Sequence, residues 1–358
     1  MINRVVSWVK NKLGPSEQNA MKTAFENQDW STFLELSNRL LEKTPNDQCA
    51  LANAALAHVN LHQPEQAIDK INAALKLEGD IGYCHYIRAT ANNALCNYKE
   101  AVEDCTKAIE LGQTHPGSYL VRMLANTQQY KYEDALKDID HVIKHCPTLK
   151  TAKVHKAHTL HSMNKNTDAL ELCNEVIDSV SGNELVFTLA IRAFAYNRLG
   201  KLDLAIADMT TALELGEDKA SLYLDLADLY AHKGDLEKMD ECLHLAAPKT
   251  KREDAIKSLQ NAKLNLLKKD NDAALRNAEA AVGKLPLDAS MRAVYGLSLL
   301  RLGRNEDALR ELNAATDLDP YCIDARWFRA EVNEKLGNKV EAEKDKAIAS
   351  EHGYVPYL

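Results

Sequence analysis

One 13-residue pattern returns along the chain at a spacing close to 34 residues. It reads EQAIDKINAALKL at 65–77, KEAVEDCTKAIEL at 99–111, EDALKDIDHVIKH at 133–145 and EDALRELNAATDL at 306–318. A constant period of this length indicates one supersecondary structure that is repeated and stacked on its neighbours. The chain is therefore expected to fold as an array of repeats, in which no single compact core has to hold all 358 residues.

Three columns of small or aliphatic residues share this period over nine successive repeats. Alanine stands at eight of the nine positions of the first column, and the other two columns lie seven residues after it and twelve residues before it. Small side chains allow two antiparallel helices to cross closely, so the columns predict a pair of helices in every repeat. The scarcity of glycine (14) and proline (9) agrees with an all-helical chain. The first column consists of Ala67, Ala101, Ala135, Ala169, Ala205, Met239, Ala274, Ala308 and Ala342.

A 34-residue helix–turn–helix with small residues at positions 8, 20 and 27 resembles the tetratricopeptide repeat. Members of that family often have proline at position 32, and four repeats of this chain do as well: Pro45, Pro147, Pro286 and Pro320. The resemblance implies an all-α fold, a right-handed α-α superhelix or solenoid of helix pairs. It covers ten repeats and nearly the whole chain, namely 14–47, 48–81, 82–115, 116–149, 150–185, 186–219, 220–254, 255–288, 289–322 and 323–356.

The repeats are expected to form two blocks, 14–185 and 186–356. Repeat 150–185 has two extra residues, and its string SVSGNEL at 179–185 is typical of a loop. Glycine also occupies the turn between the two helices only after this point, at Gly200, Gly234, Gly303 and Gly337. The alternative is a neutral insertion in one continuous superhelix. The last repeat, 323–356, is expected to be a polar cap, because a terminal repeat has no further neighbour to bury.

Residues 1–13 carry a single apolar stripe, which predicts an amphipathic helix. We favour the interpretation that this helix is a cap, which covers the exposed side of the first repeat. The alternative is that it contacts a partner or rests on an anionic membrane surface through its basic residues. The stripe consists of Ile2, Val5, Val6, Val9 and Leu13.

Composition and motifs exclude several classes of function. The net charge of −8 argues against nucleic-acid binding, and the lack of 18 consecutive apolar residues argues against a transmembrane segment. Catalytic motifs such as G-x-S-x-G, the Walker loop and H-E-x-x-H are missing, so we predict no enzyme, no catalytic residue and no cofactor. Eight scattered cysteines without a C-x-x-C pair indicate reduced thiols and a cytoplasmic protein.

Histidines and cysteines between residues 141 and 173 form one candidate site for a metal ion or a small ligand. His155, His158 and His161 are spaced three residues apart, which places neighbouring pairs of them on one face of a predicted helix, as a zinc site requires. The competing interpretation, which we favour, is that these histidines line a surface for a partner and bind no metal.

The family resemblance implies a protein-interaction scaffold or adaptor. The first helices of such repeats line a concave groove that holds a peptide or a helix of a partner protein. In this chain the stripe at positions 2, 5, 9 and 12 of the first helices is apolar and aromatic over residues 48–219. The competing interpretations are that these side chains only pack against the next helix, or that the protein is a permanent structural subunit of a larger complex. The predicted groove consists of Leu56, Val59, Tyr83, Tyr86, Leu120, Leu124, His158, His161, Phe187 and Phe194.

Overall fold

The computed structural model describes residues 14–77, 81–217, 219–352, 354 and 356–358. The helix expected at 1–13 lies outside the described residues. Within them, the regular structure is entirely helical, with twenty α-helices and one short 3-10 helix at Ile177–Ser179. The helices group into two compact units, Met1–Thr148 and Leu149–Leu358, which we call the N-terminal and the C-terminal unit.

The N-terminal unit contains four helix pairs, each made of a first and a second helix. The pairs are α1 (Pro15–Glu26) with α2 (Trp30–Lys43), α3 (Gln48–Asn60) with α4 (Pro64–Leu75), α5 (Gly82–Ala94) with α6 (Tyr98–Glu110), and α7 (Pro116–Gln128) with α8 (Tyr132–His145).

The C-terminal unit contains six helix pairs. They are α9 (Lys150–Ser162) with α10 (Asn166–Val176), α11 (Gly182–Arg198) with α12 (Leu202–Leu215), α13 (Lys219–Lys233) with α14 (Leu236–Leu245), α15 (Lys251–Leu267) with α16 (Asn271–Lys284), α17 (Ala289–Arg301) with α18 (Asn305–Leu318), and α19 (Ile323–Leu336) with α20 (Lys339–Glu351). The ten pairs of the two units correspond one to one to the ten repeats read from the sequence.

The three residue columns lie where the helices of a pair cross. From Ala67 to Ala342, no residue of the first column is more than 1% exposed. The column twelve residues earlier has glycine once, at Gly296 in α17. A Cβ atom there would lie 2.6 Å from Cγ of Leu312, which is too close for any side chain. The columns therefore mark helix contacts, and the predicted all-α repeat fold is confirmed.

One residue in each of the ten pairs turns the chain from the first helix into the second. This residue is always at position 15 of its repeat and has a positive φ, between 57° and 84°. Because glycine and non-glycine residues adopt the same conformation here, the four glycines after residue 185 do not mark a different kind of turn. The turn residues are Gln28, His62, Cys96, Tyr130, Asn164, Gly200, Gly234, Lys269, Gly303 and Gly337.

The prediction of a loop at 179–185 is wrong for residues 182–185, which are helical. Helix α11 begins at Gly182 and is 17 residues long, whereas α9 has 13, so the extra residues of this region lengthen a first helix. Ile191 of α11 is buried together with Cys173 and Val176 of α10, and this cluster spans the expected boundary at residue 185. The division into blocks 14–185 and 186–356 stays a prediction; by contacts, the chain divides after Thr148.

The last repeat differs from the others at position 24 of the repeat. Ile71, Ile139 and Met209 are fully buried at this position, whereas Lys346 of α20 keeps 34% of its side chain exposed and pairs with Glu334. Over the described residues, none of the helices combines the length and the apolar composition needed to cross a bilayer.

Candidate partner-binding surfaces

Within each unit, the first helices of neighbouring pairs lie side by side, so equivalent positions along them share one face. We call the residues at positions 2, 5, 9, 12 and 13 of the first helices the first-helix surface. In the N-terminal unit this surface contains a pocket of about 170 Å³. Its lining consists of Phe25, Trp30, Leu56, Val59, Asn60, Tyr86, Ile87 and Thr90.

Aromatic packing in the first pair builds one wall of this pocket. The rings of Phe25 and Trp30 meet edge to face with centroids 5.6 Å apart, and Trp30 meets Phe33 in the same way at 5.9 Å. Phe33 is fully buried, so it fixes the other two rings against the core. Such edge-to-face contacts are the preferred geometry of aromatic pairs. The pocket wall is therefore preformed.

Tyr86 forms the opposite wall and reaches toward the next first helix. A Cβ atom at Gly117 of α7 would lie 2.9 Å from the Tyr86 hydroxyl, so the glycine leaves the room that this ring occupies. Burial raises the pKa of Tyr86 above its ordinary value. The phenol therefore stays neutral at physiological pH, and its ring presents an apolar face to the pocket.

The structure separates the predicted groove residues of this unit into three groups. Val59 and Tyr86 are partly exposed at the pocket, and Leu56 lies beneath them with 8% exposure. Leu120 and Leu124 are partly buried and pack against a separate core cluster. Tyr83 is only 2% exposed, because it packs into the core of the unit. We therefore drop the expectation that Tyr83 contacts a partner.

In the C-terminal unit, the predicted histidines and phenylalanines pack on one another. Phe187 is 37% exposed and lies beside His158, with ring centroids 5.5 Å apart. His161 stacks on Phe194 at 5.9 Å with 19° between the planes, and its Nδ1 lies 2.7 Å from Oδ1 of Asn166. Burial lowers the pKa of His158 and of His161 to about 4. Both rings are therefore neutral near pH 7 and extend an aromatic surface.

The metal-site alternative rested on His155, His158 and His161. The rings of His155 and His158 both pack against Phe187, and the ring centroids of His155 and Phe187 lie 5.9 Å apart. The ring of His161 packs against Phe194. No group of three or more histidine, cysteine, aspartate or glutamate side chains in the described part of the chain is arranged to hold a metal ion.

Partly buried ion pairs continue the first-helix surface of the C-terminal unit. Arg198 of α11 donates to Asp324 of α19 at 3.1 Å, although 126 residues separate them. Lys263 of α15 pairs with Asp228 of α13 in the same region. Although burial favours the neutral acid, Arg198 and Lys263 hold the pKa of Asp324 below its ordinary value. These carboxylates are therefore ionised, and each neutralises a cation on this surface.

The sequence period contains a signal for one of these two ion pairs only. Asp228 and Lys263 both stand at position 9 of adjacent repeats, so the period could have shown that they are neighbours. The contact of Arg198 with Asp324 joins repeats that are not adjacent in sequence, so the repeat period does not predict it.

Tyr357 and Leu358, which follow α20, also lie on this surface. The ring of Tyr357 stacks on His232 of α13 with centroids 3.7 Å apart, and Arg301 of α17 donates to the Leu358 carbonyl oxygen at 3.3 Å. Tyr354 is buried beside Trp327, with ring centroids 5.4 Å apart. The repeat pattern gives no indication of these contacts.

Family comparisons agree with the helix pairs. A family model described as the Psidin N-terminal TPR repeats region matches residues 120–253, and the tetratricopeptide repeat model matches residues 268–321 and 296–349. The chain is a tetratricopeptide-repeat protein.

Individual relatives are distant. DnaJ homolog subfamily C member 3 of Gallus gallus is 24% identical over 204 residues, covering 51% of this chain and 40% of the relative. Tetratricopeptide repeat protein 21A of Mus musculus is 24% identical over 357 residues, covering 93% of this chain and 25% of the relative. The chain thus spans less than half the length of these two curated relatives.

Among solved structures, the crystal structure of the APC/C hetero-tetramer Cut9-Hcn1 aligns with a TM-score of 0.49 and 10% identity. That alignment covers 98% of this chain and 89% of the solved one.

Proposed function

We propose that this protein is an interaction scaffold, or adaptor, that holds an apolar peptide or helix of a partner protein on its first-helix surface. The observation that carries the proposal is the preformed pocket between Trp30, Val59 and Tyr86. Exposed aromatic and aliphatic side chains around a concave site are the usual anchors of protein interfaces. The proposal includes no catalytic activity and no cofactor, since the sequence has no catalytic motif.

The size of the pocket indicates what enters it. Pockets for drug-sized ligands measure about 300–1,000 Å³. At about 170 Å³, this pocket has room for one side chain of a larger partner. An amphipathic helix or an extended strand would place one apolar side chain in it and rest its neighbours on the adjoining first helices.

The proposal places the protein in the cytoplasm. All eight cysteines lie in the described part of the chain, and none of them forms a disulfide bond there. This state suits a reducing compartment. With a net charge of −8, the partner is expected to be a protein rather than a nucleic acid.

The test uses one substitution at two places. Val59→Asp puts a charge into the pocket, whereas Val340→Asp puts the same charge on a residue of α20 that is 76% exposed. Tagged wild type and both variants would be used to capture partners from the native cell, followed by mass spectrometry. We expect the Val340→Asp protein to retain the wild-type partners and the Val59→Asp protein to lose them, with equal helical circular dichroism. Identical partner sets for both variants would contradict the pocket as a binding site.

A further inference from the structure

Tyr357 and Leu358 of the chain's own segment after α20 cover part of the first-helix surface of the C-terminal unit. The Tyr357 ring stacks on His232, and the Lys263 ammonium lies 5.8 Å from the centre of the same ring. Arg301 donates to the Leu358 carbonyl oxygen. The three contacts come from α13, α15 and α17, which are the first helices of three successive repeats.

The positions of these contacts are those that a partner would use. Lys263 stands at position 9 of its repeat, and His232 and Arg301 stand at position 13 of theirs. Position 9 is also that of Leu56, which lies at the base of the pocket in the N-terminal unit. The segment thus occupies, within the same chain, the face on which a repeat array receives a foreign peptide.

The charges around Tyr357 decide the chemistry of the occupant. Lys263 pairs with Asp228, Arg198 with Asp324, and Arg301 with Glu331 at 2.8 Å. These three cations therefore have no unbalanced charge with which to attract an acidic peptide. An aromatic ring suits the site better, because it gains from the ammonium over its face and from the imidazole stacked on it.

His232 completes this aromatic site as a neutral ring. Burial holds the pKa of His232 below its ordinary value, although Asp228 acts in the opposite direction. A neutral imidazole can stack on the Tyr357 ring without competing with Lys263 for the carboxylate of Asp228. The stacked arrangement is therefore stable near pH 7.

The segment is held unevenly along its length. Tyr354 is 9% exposed and packs with Ile323, Ala349 and Trp327, so it fixes the start of the segment to the last repeat. Beyond it, Pro356 is exposed and Leu358 is partly exposed. Among the described residues of this outer part, the Tyr357 ring contacts His232 and Lys263, and Leu358 accepts a hydrogen bond from Arg301. A competitor with the same groups can replace these contacts.

We propose that this surface is a binding site for a neutral peptide with an aromatic residue followed by an apolar one, and that Tyr357 and Leu358 occupy it until such a partner peptide displaces them. The proposal rests on the proposed scaffold function but concerns a different set of helices. Because the segment is tethered next to its site, its effective concentration is about millimolar. The tether therefore weakens the binding of any competing peptide.

The test separates the site from its internal occupant. The chain would be ended after Pro356, which removes Tyr357 and Leu358 and keeps the buried Tyr354. The probe is a fluorescein-labelled peptide amide with the sequence of residues 355–358, VPYL, and its matched control is VPAL. Fluorescence anisotropy would report binding to the shortened protein, to the full chain and to a full-length Tyr357→Ala variant, with thermal melts to verify folding.

We expect VPYL to bind the shortened protein and the Tyr357→Ala variant at least ten-fold more tightly than the full chain. VPAL should bind at least ten-fold more weakly than VPYL, and His232→Ala in the shortened protein should abolish binding. Equal binding of VPYL to the full and shortened chains, or no binding to either variant, would overturn the proposal. Val59→Asp should leave VPYL binding unchanged, so the outcome here is independent of the pocket in the N-terminal unit.

Discussion

At the scale of single residues, four arginines of first helices tie neighbouring helix pairs together. Each donates two hydrogen bonds to an aspartate sixteen residues later, in the second helix of its own pair. Each also donates to a polar side chain in the second helix of the preceding pair, as Arg122 does to Thr106 at 3.1 Å. One guanidinium therefore joins three helices, because its fork can satisfy several acceptors at once. The pairs are Arg88–Asp104, Arg122–Asp138, Arg192–Asp208 and Arg329–Asp345.

We expect Arg122→Ala to lower the free energy of unfolding by about 2–4 kcal/mol, because it leaves the Asp138 carboxylate buried without its cation. Only 6% of the Asp138 side chain is exposed. The matched control is Arg310→Ala, which removes a pair with Asp307 from an arginine that is 73% exposed, and should cost less than about 0.5 kcal/mol. Urea denaturation measures both values, and equal losses would show that the buried pair has no special role.

The histidines that pack on Phe187 and Phe194 make stability depend on pH. The pKa of His158 and of His161 is lowered to about 4 in the folded protein, so the unfolded chain takes up protons first as the pH falls. Their contribution is complete above about pH 6.5, the ordinary histidine pKa, and is lost as the pH falls toward 4. For each of the two histidines, we expect the free energy of unfolding to fall by about 1–2 kcal/mol between pH 7 and pH 5.

Thermal melts at pH 7 and pH 5 test this pH dependence. His158→Gln should reduce the difference in Tm between the two pH values. His244→Gln is the control, because the His244 side chain is 85% exposed. A pH dependence that is the same in wild type and in the His158→Gln protein would contradict the assignment.

At the scale of helices and turns, the turn residue at position 15 of each repeat has a left-handed backbone conformation, which destabilises any residue other than glycine. Cys96 has φ 61° and Gly200 has φ 72° at equivalent turns. A left-handed conformation costs a non-glycine residue about 1–2 kcal/mol. Glycine avoids this cost but loses more conformational entropy on folding, so the net advantage of glycine is smaller.

We therefore expect Cys96→Gly to stabilise the protein by about 0.5–1 kcal/mol and Gly200→Ala to destabilise it by a similar amount. Chemical denaturation of the two variants would give changes of opposite sign. A loss of stability in Cys96→Gly would mean that the cysteine side chain contributes more than its backbone costs.

The period of the sequence was enough to predict the helix pairs, because each column residue has the same packing role in every repeat. It failed at 182–185, where Gly182 suggested a loop. Leu185 and Val186 are instead helical and pack against the core of the C-terminal unit, and such tertiary packing has no signal in local composition.

The site was predicted in part for the same reason. The stripe on the first helices identified Val59 and Tyr86, but it could not distinguish Tyr83, which points into the core. The contacts of Tyr357 lie outside the repeats, so the period has no information about them.

At the scale of the whole molecule, the boundary predicted at residue 185 determines how the chain unfolds. Repeat arrays unfold as the sum of neighbouring interfaces, and a weak interface divides the transition. The buried cluster of Cys173, Val176 and Ile191 joins the two sides of this boundary. The division into blocks predicts that α10 and α11 lose hydrogen-exchange protection at different urea concentrations, with preferential proteolysis between Ser179 and Glu184. Loss of protection at the same urea concentration, with no cleavage there, would instead favour one continuous superhelix.

The central claim is that the first-helix surface binds a partner, and a pair of tyrosines three residues apart tests it most directly. Tyr86 lies at the pocket, whereas Tyr83 lies in the core. With a partner obtained by capture, titration and thermal melts would be compared for Tyr86→Ala, Phe194→Ala and Tyr83→Ala.

We predict that Tyr86→Ala costs about 1–3 kcal/mol of binding free energy with a smaller loss of stability. Tyr83→Ala should instead cost about 3–5 kcal/mol of stability, as expected for a buried aromatic residue. Full affinity in both Tyr86→Ala and Phe194→Ala, or a loss of stability large enough to explain all of the lost binding, would contradict the claim.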